Sequence, residues 1–176
     1  MRSCVILLRG INVGGKNRLP MAELRSVLSD LGCENVSTYI QSGNAVCQFH
    51  GKLEALSAQT AAAIEKKFKF ELDILTLDGT LFQKIAGDFP FVAEDPKCLH
   101  TWFLKQAAVN ADTERLRELA SPTEEFELTP RAFYLHAPEG IGRSRLAAGV
   151  EKCLGVPCTA RNNRTTAKLC ELLDSL

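Results

Sequence analysis

Several features that would place this chain in a common functional class are missing from its sequence. There is no net charge, because 21 lysines and arginines balance 21 aspartates and glutamates. A protein that coats DNA is normally strongly basic. No apolar run reaches the length of a membrane span, and the first residues lack the cleavage pattern of a signal peptide. These absences predict a cytoplasmic protein without a membrane-spanning segment.

Metal and disulfide patterns are missing as well. The seven cysteines show no C-x-x-C spacing, and the two closest, Cys153 and Cys158, are separated by a predicted helix end and a turn. Their number is odd and their neighbours are mostly apolar, which favours buried reduced thiols over a disulfide framework or a zinc site. The three histidines lie far apart, without metal-ligand spacing. The sequence therefore predicts no metal site, and it specifies no cofactor.

The remaining composition is that of a globular protein. Apolar residues make up 45% of the 176 residues and charged residues 24%, which is enough for a sizeable core in one compact domain or two small ones. Apolar positions recur with the period of strands in some segments and of helices in others. Their order predicts an α+β fold of two tandem ferredoxin-like β-α-β-β-α-β halves, with a linking helix and a C-terminal helix.

These elements also give boundaries for the two halves. The first half takes residues 1–78, a linker with a short helix takes 79–97, and the second half with the C-terminal helix takes 98–176. The predicted strands are 3–9, 35–41, 45–49, 71–77, 99–105, 126–128, 131–137 and 157–161. The predicted helices are 20–31, 53–68, 79–86, 111–120, 144–155 and 165–176.

The topology of this fold decides which loops meet. Its strand order is 4-1-3-2 with alternating direction, so the loop after the first strand lies beside the hairpin between the second and third. In the first half this places the segment GINVGGKNR beside QSGN. In the second half the segments after the third and fourth strands share one end of the sheet, which places PEGIGRSR beside RNNRT. Both pairs combine glycine, cationic, asparagine and hydroxyl residues, and they are the two candidate clusters.

The segment GINVGGK matches most of a phosphate-binding P-loop. Gly10, Gly15 and Lys16 have the P-loop spacing after an apolar strand. However, Asn17 replaces the Ser or Thr that holds magnesium, Pro20 delays the helix, and a hairpin follows in place of a parallel sheet. A nucleotide-hydrolysing P-loop is therefore not expected. Two interpretations stay open: the glycine amides cradle an anion, or the glycines permit turns in a solvated loop.

Although the net charge of the chain is zero, its positive and negative residues are segregated along the sequence. Residues 1–18 hold four cations and no acid, and residues 139–168 hold six cations against two acids. Residues 112–127, in contrast, hold six acids against two cations. Two basic loop regions on a neutral protein favour an anionic ligand.

Individual polar residues in these regions have alternative interpretations. The predicted helix starts near Ser144 and Thr165 offer unpaired N–H groups to an anion, but these two residues are also typical helix caps. Ser42 is not in a G-x-S-x-G motif, and Cys47 lies inside a predicted strand, where a reactive thiolate is not expected. The sequence therefore assigns no catalytic residue.

Taken together, the motif regions resemble a known family. The opening segment LLRGINVGGKNRLPMAELRSVLSDLGCENVSTYIQSGNAV and the tail GRSRL…LGVPCTARNNRTTAKL are similar to the start and end of the domain of unknown function family 1697. The resemblance implies the tandem α+β fold and no settled activity. That family usually has an aromatic residue, often Trp, at the position of Asn163. A ligand that stacks on this aromatic would bind the present chain differently or weakly.

The sequence thus predicts a binding protein, or an enzyme, for a small anionic, phosphate-bearing ligand. One alternative is single-stranded nucleic-acid binding, which the lack of paired exposed aromatics in SCVILLR and AVCQF disfavours. Another is an interaction protein that pairs through open sheet edges. The predicted ligand-binding residues are Arg9, Asn12, Gly14, Gly15, Lys16, Gln41, Ser42, Asn44, Arg143, Ser144, Arg161, Asn162, Arg164 and Thr165.

Overall fold

The computed structural model describes every residue of the chain, from 1 to 176, and divides into two compact units. Unit 1 comprises Met1–Lys84 together with Ala167–Leu176, and unit 2 comprises Ile85–Thr166. The sequence-based division at residues 78 and 97 stays a prediction. No helix combines the length and the apolar character that crossing a bilayer requires.

Eight strands and six α-helices build the two units. The strands are β1 (Arg2–Leu8), β2 (Glu34–Tyr39), β3 (Asn44–Phe49), β4 (Ile74–Asp78), β5 (Leu99–Leu104), β6 (Glu125–Leu128), β7 (Ala132–His136) and β8 (Cys158–Asn162). The α-helices are α1 (Met21–Asp30), α2 (Leu53–Phe68), α3 (Gly79–Gly87), α4 (Thr113–Leu119), α5 (Arg145–Leu154) and α6 (Asn163–Asp174). Short 3-10 turns at Pro96–Cys98 and Ile141–Arg143 precede β5 and α5.

Each unit contains one four-stranded antiparallel sheet. The strand order is β2-β3-β1-β4 in unit 1 and β6-β7-β5-β8 in unit 2, and all neighbouring strands are antiparallel. This is the order 4-1-3-2 read from the other edge. The predicted α+β class is therefore confirmed, with its two tandem β-α-β-β-α-β halves, its linking helix α3 and its C-terminal helix α6.

Unit 1 is organised around β1, in which every residue from Cys4 to Leu8 is buried. A strand that is buried on both faces needs a continuous apolar run, and the segment CVILL provides one. Helices α1 and α2 pack their apolar stripes on the sheet, and Leu24, Leu28 and Ile64 are fully buried there. This packing fixes β1, and with it the point at which the first candidate loop begins.

The cysteines form no disulfide, and five of the seven are buried, as their apolar neighbours predicted. Cys4 and Cys47 lie directly opposite each other on β1 and β3, with their Sγ atoms 3.4 Å apart. Hydrogen bonds with Cys33 and Cys4, together with burial, raise the pKa of Cys47 far above its ordinary value. Because the thiolate is the reactive form and Cys47 is fully buried, this residue is not expected to act as a nucleophile.

Unit 2 packs aromatic side chains on both faces of its sheet. Trp102 on β5 and Phe133 on β7 meet edge to face, with ring centroids 5.6 Å apart. Tyr134 follows Phe133 and therefore points to the opposite face. Its hydroxyl donates a hydrogen bond to the carbonyl of Ile85 at 2.9 Å. This bond ties the end of α3 to the sheet of unit 2.

Replacing Tyr134 with phenylalanine is expected to lower the free energy of unfolding by about 1.5 kcal/mol, because the Ile85 carbonyl loses this donor. Burial raises the pKa of Tyr134 to about 12. The unfolded chain releases this proton near pH 10, so the wild-type protein should lose stability between pH 10 and 12 more steeply than the variant. Urea denaturation at pH 8 and at pH 11 measures both effects. Tyr39→Phe, at a half-buried tyrosine of unit 1, is the control, and equal stability of all three proteins would contradict the prediction.

Candidate functional site

Residues 12–17, in the loop that follows β1, form a miniature hairpin. The amide of Asn12 donates to the carbonyl of Asn17 at 3.1 Å, and a second backbone hydrogen bond spans the tip. Gly14 and Gly15 occupy the tip with φ values of 57° and 77°. Two consecutive residues with positive φ are typical of a type I′ turn, which glycine adopts without strain. The two glycines therefore have a structural role in turning the chain.

Asparagine side chains hold the backbone of this loop in place. Nδ2 of Asn12 donates to the carbonyls of Leu19 (2.9 Å) and Gln41 (2.7 Å), and Oδ1 of Asn12 accepts from the Leu19 amide (2.9 Å). Nδ2 of Asn17 donates to the carbonyl of Gly10 at 3.0 Å. Both asparagines have positive φ, a conformation that asparagine tolerates better than most residues. The side chain of Asn12 is thus engaged in shaping the loop.

The loop after β1 lies against the turn between β2 and β3, at the end of the sheet that the topology predicted. The Leu8 amide donates to the carbonyl of Gly43 at 2.8 Å. The buried Asn44 donates to the carbonyl of Tyr39 and to the hydroxyl of Ser42, both at 3.0 Å. The first candidate cluster is therefore a connected assembly within unit 1. We call residues 9–19 of this assembly the glycine loop.

The outer surface of the glycine loop is basic and open. Lys16 and Arg18 are exposed and form no ion pair. The amides of Gly14 and Gly15 donate to no protein acceptor, and no atom lies within 4 Å of the position where either glycine would carry a Cβ. Helix α1 begins only at Met21, so the loop does not run into a helix as a P-loop does.

The second candidate cluster lies at one end of the sheet of unit 2. Strands β7 and β8 both end there, because both run antiparallel to β5. Residues 138–145 follow β7, and residues 161–165 span the end of β8 and the first turn of α6; we call these two segments the basic end. Strand β5 lies between β7 and β8. The two segments therefore share an end of the sheet, but they leave from strands that are not neighbours.

Both helices of the basic end have an N-terminal cap, in which a side chain accepts a hydrogen bond from an amide of the first turn. The hydroxyl of Ser144 accepts from the Ala147 amide at 2.9 Å, so Ser144 is the cap of α5. Helix α6 begins at Asn163, two residues earlier than predicted, and Oδ1 of Asn162 accepts from the Thr165 amide at 2.9 Å. The interpretation of Thr165 as a cap is therefore wrong. Asparagine is the stronger cap, and it takes this position at the end of β8.

A cavity of about 620 Å³ opens beside the start of α5. One wall comes from residues 119–124, which join α4 to β6, and the other from the segment between positions 139 and 145. Arg143 and Arg145 line the cavity, and neither forms an ion pair. Gly140 and Gly142, in the second wall, have no side chain that would cover the backbone. This volume is within the range of small-molecule pockets.

Sequence reasoning did not assign the first wall of this cavity to a site, because residues 112–127 are acidic overall. In the structure, the carboxylate of Glu124 accepts a hydrogen bond from the Ser121 amide at 2.8 Å. Its charge is therefore partly compensated by the backbone. The sequence signal for this arrangement is a serine followed three positions later by a glutamate, here Ser121 and Glu124.

The cations of the basic end differ in their exposure to solvent. Burial lowers the pKa of Arg161 to about 10, and its Nη1 donates to the carbonyl of Ala160 at 2.7 Å. The guanidinium remains charged at neutral pH. Arg164 is exposed in the first turn of α6 and forms no ion pair. Arg143 and Arg164 thus present their charge outward.

Three ion pairs lie outside the two candidate clusters. They join Lys67 to Glu23, Arg115 to Glu118 and Lys168 to Glu171. Lys16, Arg18, Arg143 and Arg164 take part in none of these pairs. These four side chains therefore keep a positive charge that no carboxylate pairs with.

Comparison with known proteins gives a family and a fold. A family model described as protein of unknown function (DUF1697) matches residues 1–134, which include the glycine loop and end before Arg143. The structure of a conserved bacterial protein from Streptococcus pneumoniae is similar, with a TM-score of 0.70 and 25% sequence identity over 98% of this chain and 98% of that chain. No curated protein matches the sequence.

Proposed function

Because the chain belongs to this family of proteins of unknown function (DUF1697), we propose a function from the molecule itself: it binds a small anionic, phosphate-bearing ligand through its basic, glycine-containing loops. The observation that carries the proposal is the cavity of about 620 Å³ at the start of α5, which Arg143 and Arg145 line without carboxylate partners. Arginine presents a planar set of donors that matches phosphate oxygens in pairs.

The start of α5 adds to this preference for anions. The helix begins at Arg145, and its first N–H groups carry partial positive charge. Ser144 uses one of these groups as a cap, which leaves others at the helix start without an intrahelical partner. Of the two carboxylates in the lining, Glu124 is held by a backbone amide and Glu139 is exposed to solvent. The lining therefore holds two cations and two carboxylates, and the N–H groups at the start of α5 are what favour a negative ligand.

The glycine loop supports the same proposal in unit 1. Its backbone is held by asparagine side chains, so the exposed amides of Gly14 and Gly15 have fixed directions. Fixed donors bind an anion without the entropic cost of ordering a flexible loop. Lys16 and Arg18 provide charge beside them. Arg9, Gln41 and Ser42 complete the ligand-binding set that we propose for this unit. The predicted site residue Asn44 is fully buried, and its side chain supports the turn between β2 and β3.

A thermal-shift screen with pyrophosphate, sugar phosphates, nucleotides and acyl-coenzyme A tests the proposal directly. A ligand that binds only the folded state stabilises it by RT ln(1 + c/Kd), where c is the free ligand concentration, so the melting temperature rises with ligand concentration. For a compound that does so, Arg143→Ala is expected to weaken the affinity measured by isothermal titration about tenfold, because a charge-assisted hydrogen bond is lost.

Arg131→Ala is the matched control for this substitution. Arg131 is exposed in the turn before β7, at the opposite end of the same sheet, so its removal should leave the affinity unchanged. Equal losses in the two variants would indicate nonspecific charge attraction, and no stabilisation by any of the compounds would overturn the proposed function.

Single-stranded nucleic-acid binding has no comparable support. Aromatic residues that stack on bases have to be exposed on the sheet. On β5 and β7, however, Trp102, Phe103 and Phe133 are all buried. We therefore keep the small anionic ligand as the proposed function.

A further inference from the structure

A second cavity, of about 440 Å³, lies between residues 112–119 of α4 and residues 145–153 of α5. We call it the helix groove. Leu119 and Arg145 line both this groove and the cavity at the start of α5, so the two spaces are adjacent. A single phosphate group fills only a small part of spaces of this size, which suit whole small molecules. The two spaces together therefore have room for a ligand that extends beyond its phosphate group.

The two helices that form the groove run in opposite directions. At the start of α4, the Asp112 amide donates to the carbonyl of Cys153, near the end of α5, at 2.8 Å. At the other end of α4, Leu119 packs against the middle of α5, where a Cβ on Gly149 would lie 2.5 Å from Cδ1 of Leu119. The lining on α5 extends from Arg145 to Cys153, about 12 Å along the helix axis. The groove therefore leads away from the first cavity along the helix pair.

The floor of the groove is apolar. Leu119 is half-buried, Cys153 is buried, and Gly149 adds no side chain between them. A buried free cysteine packs as a small apolar residue. The exposed Ala148 contributes a methyl group to the wall. Covering such a surface with the apolar part of a ligand removes both from water, which is favourable.

The edges of the groove carry positive charge. Arg145 and Lys152 are exposed, and neither forms an ion pair. Arg115 pairs with Glu118, and the carboxylate of Asp112 accepts a hydrogen bond from the Arg115 amide at 2.9 Å. Two cations without carboxylate partners therefore flank the apolar floor. They favour an apolar chain that carries an anionic group over one that carries a cationic group.

We propose that the phosphate-bearing ligand is an aliphatic phosphate ester, with its phosphate group in the cavity beside Arg143 and its apolar chain in the helix groove. The inference rests on the proposed function and makes it more specific, because it names the part of the ligand that the phosphate is attached to. Arg145 lies where the two spaces meet. Its guanidinium donates to the phosphate, and its aliphatic stem covers the first part of the chain.

Isothermal titration of the full chain at pH 8 with three probes tests the inference. Ethyl phosphate and hexyl phosphate have the same head group and differ only in chain length. We expect hexyl phosphate to bind the wild-type protein at least about tenfold more tightly, because the groove takes the added methylene groups out of water. Hexylammonium has the longer chain with a cationic head group and should not bind.

Two variants assign the two parts of the ligand to their places. Ala148→Gln puts a longer, uncharged side chain into the groove, and glutamine is a good helix former at this exposed position. The ratio of the hexyl phosphate affinity to the ethyl phosphate affinity should fall to about one in this variant. Ala58→Gln, the same change at an exposed position of α2 in unit 1, is the control and should keep the wild-type ratio. Arg143→Ala should weaken both phosphates by the same factor.

Each alternative outcome identifies which statement fails. If the wild-type protein binds ethyl and hexyl phosphate equally well, or if Ala148→Gln keeps the wild-type ratio, the role of the groove is overturned while the proposed function stands. Binding of hexylammonium as tight as that of hexyl phosphate would overturn the assignment of the ligand as a phosphate ester. If neither phosphate binds at millimolar concentration but a compound of the phosphate screen does, only the aliphatic chain is overturned; if the screen is negative as well, the proposed function fails too. Should Ala148→Gln not fold by circular dichroism, Ala148→Lys replaces it, and the ratio of the two affinities decides.

Discussion

Replacing Gly43 with alanine is expected to lower the free energy of unfolding by about 4 kcal/mol. Gly43 has a φ of 83°, a conformation that costs an L-residue about 1–2 kcal/mol. The new Cβ would also lie 2.7 Å from Cβ of Leu8 and 2.8 Å from Cδ1 of Ile11. Both residues are fully buried, so relieving the overlap means shifting packed atoms, at a further cost of about 1–3 kcal/mol. Urea denaturation followed by circular dichroism measures the loss.

Gly32 provides a matched control for this experiment. Its φ of 86° is nearly the same, but no atom lies within 4 Å of the position that a Cβ would take. Gly32→Ala should therefore lose only the backbone contribution, about 1 kcal/mol. The difference between the two variants isolates the overlap with Leu8 and Ile11. Similar losses in Gly32→Ala and Gly43→Ala would show that the close approach of the β2–β3 turn to β1 does not exist in solution.

We expect Asn12→Ala to lower the free energy of unfolding by about 3 kcal/mol. The substitution removes three side-chain hydrogen bonds, two to Leu19 and one to Gln41, each of which contributes about 1 kcal/mol. Asn12 also has a φ of 55°, which alanine adopts less readily. The glycine loop should become mobile in the variant, and amide hydrogen exchange should rise across residues 12–17.

Two further variants separate these contributions. Asn17→Ala removes one hydrogen bond, to Gly10, and should cost about a third as much as Asn12→Ala. Asn12→Asp keeps the acceptor for the Leu19 amide but has no donor, so it should fall between the wild-type protein and Asn12→Ala. A stability of Asn12→Ala equal to that of Asn17→Ala would contradict the role of Asn12 as the anchor of the loop.

Sequence patterns were sufficient to predict the fold because the two periodicities in this chain seldom conflict. The apolar run CVILL indicated a buried strand, and the apolar spacing after Pro20 indicated α1. From the order of these elements the strand arrangement followed, and from the arrangement came the contact between the loop after β1 and the β2–β3 turn. Local patterns thus carried information about a contact between residues that are more than thirty positions apart in the chain.

The details of the candidate site depended on geometry that patterns do not contain. Nothing in the spacing of Asn12 shows that its amide reaches both Leu19 and Gln41. Whether Asn162 or Thr165 caps α6 depends on the residue at which β8 ends. The ends of strands are predicted poorly from sequence. The register that places His100 of β5 opposite Asn162 of β8 is likewise not specified by single-sequence periodicity.

The thiols of the protein have a consequence for following its unfolding. Each unit contains its own buried cysteines, with Cys4, Cys33 and Cys47 in unit 1 and Cys153 and Cys158 in unit 2. Each unit also has one cysteine that is partly accessible, Cys170 in unit 1 and Cys98 in unit 2. A thiol reagent therefore modifies a buried cysteine only when the unit that contains it opens. Pulsed alkylation followed by peptide mass spectrometry would report the opening rates of the two units separately, in the natural sequence and without any introduced label.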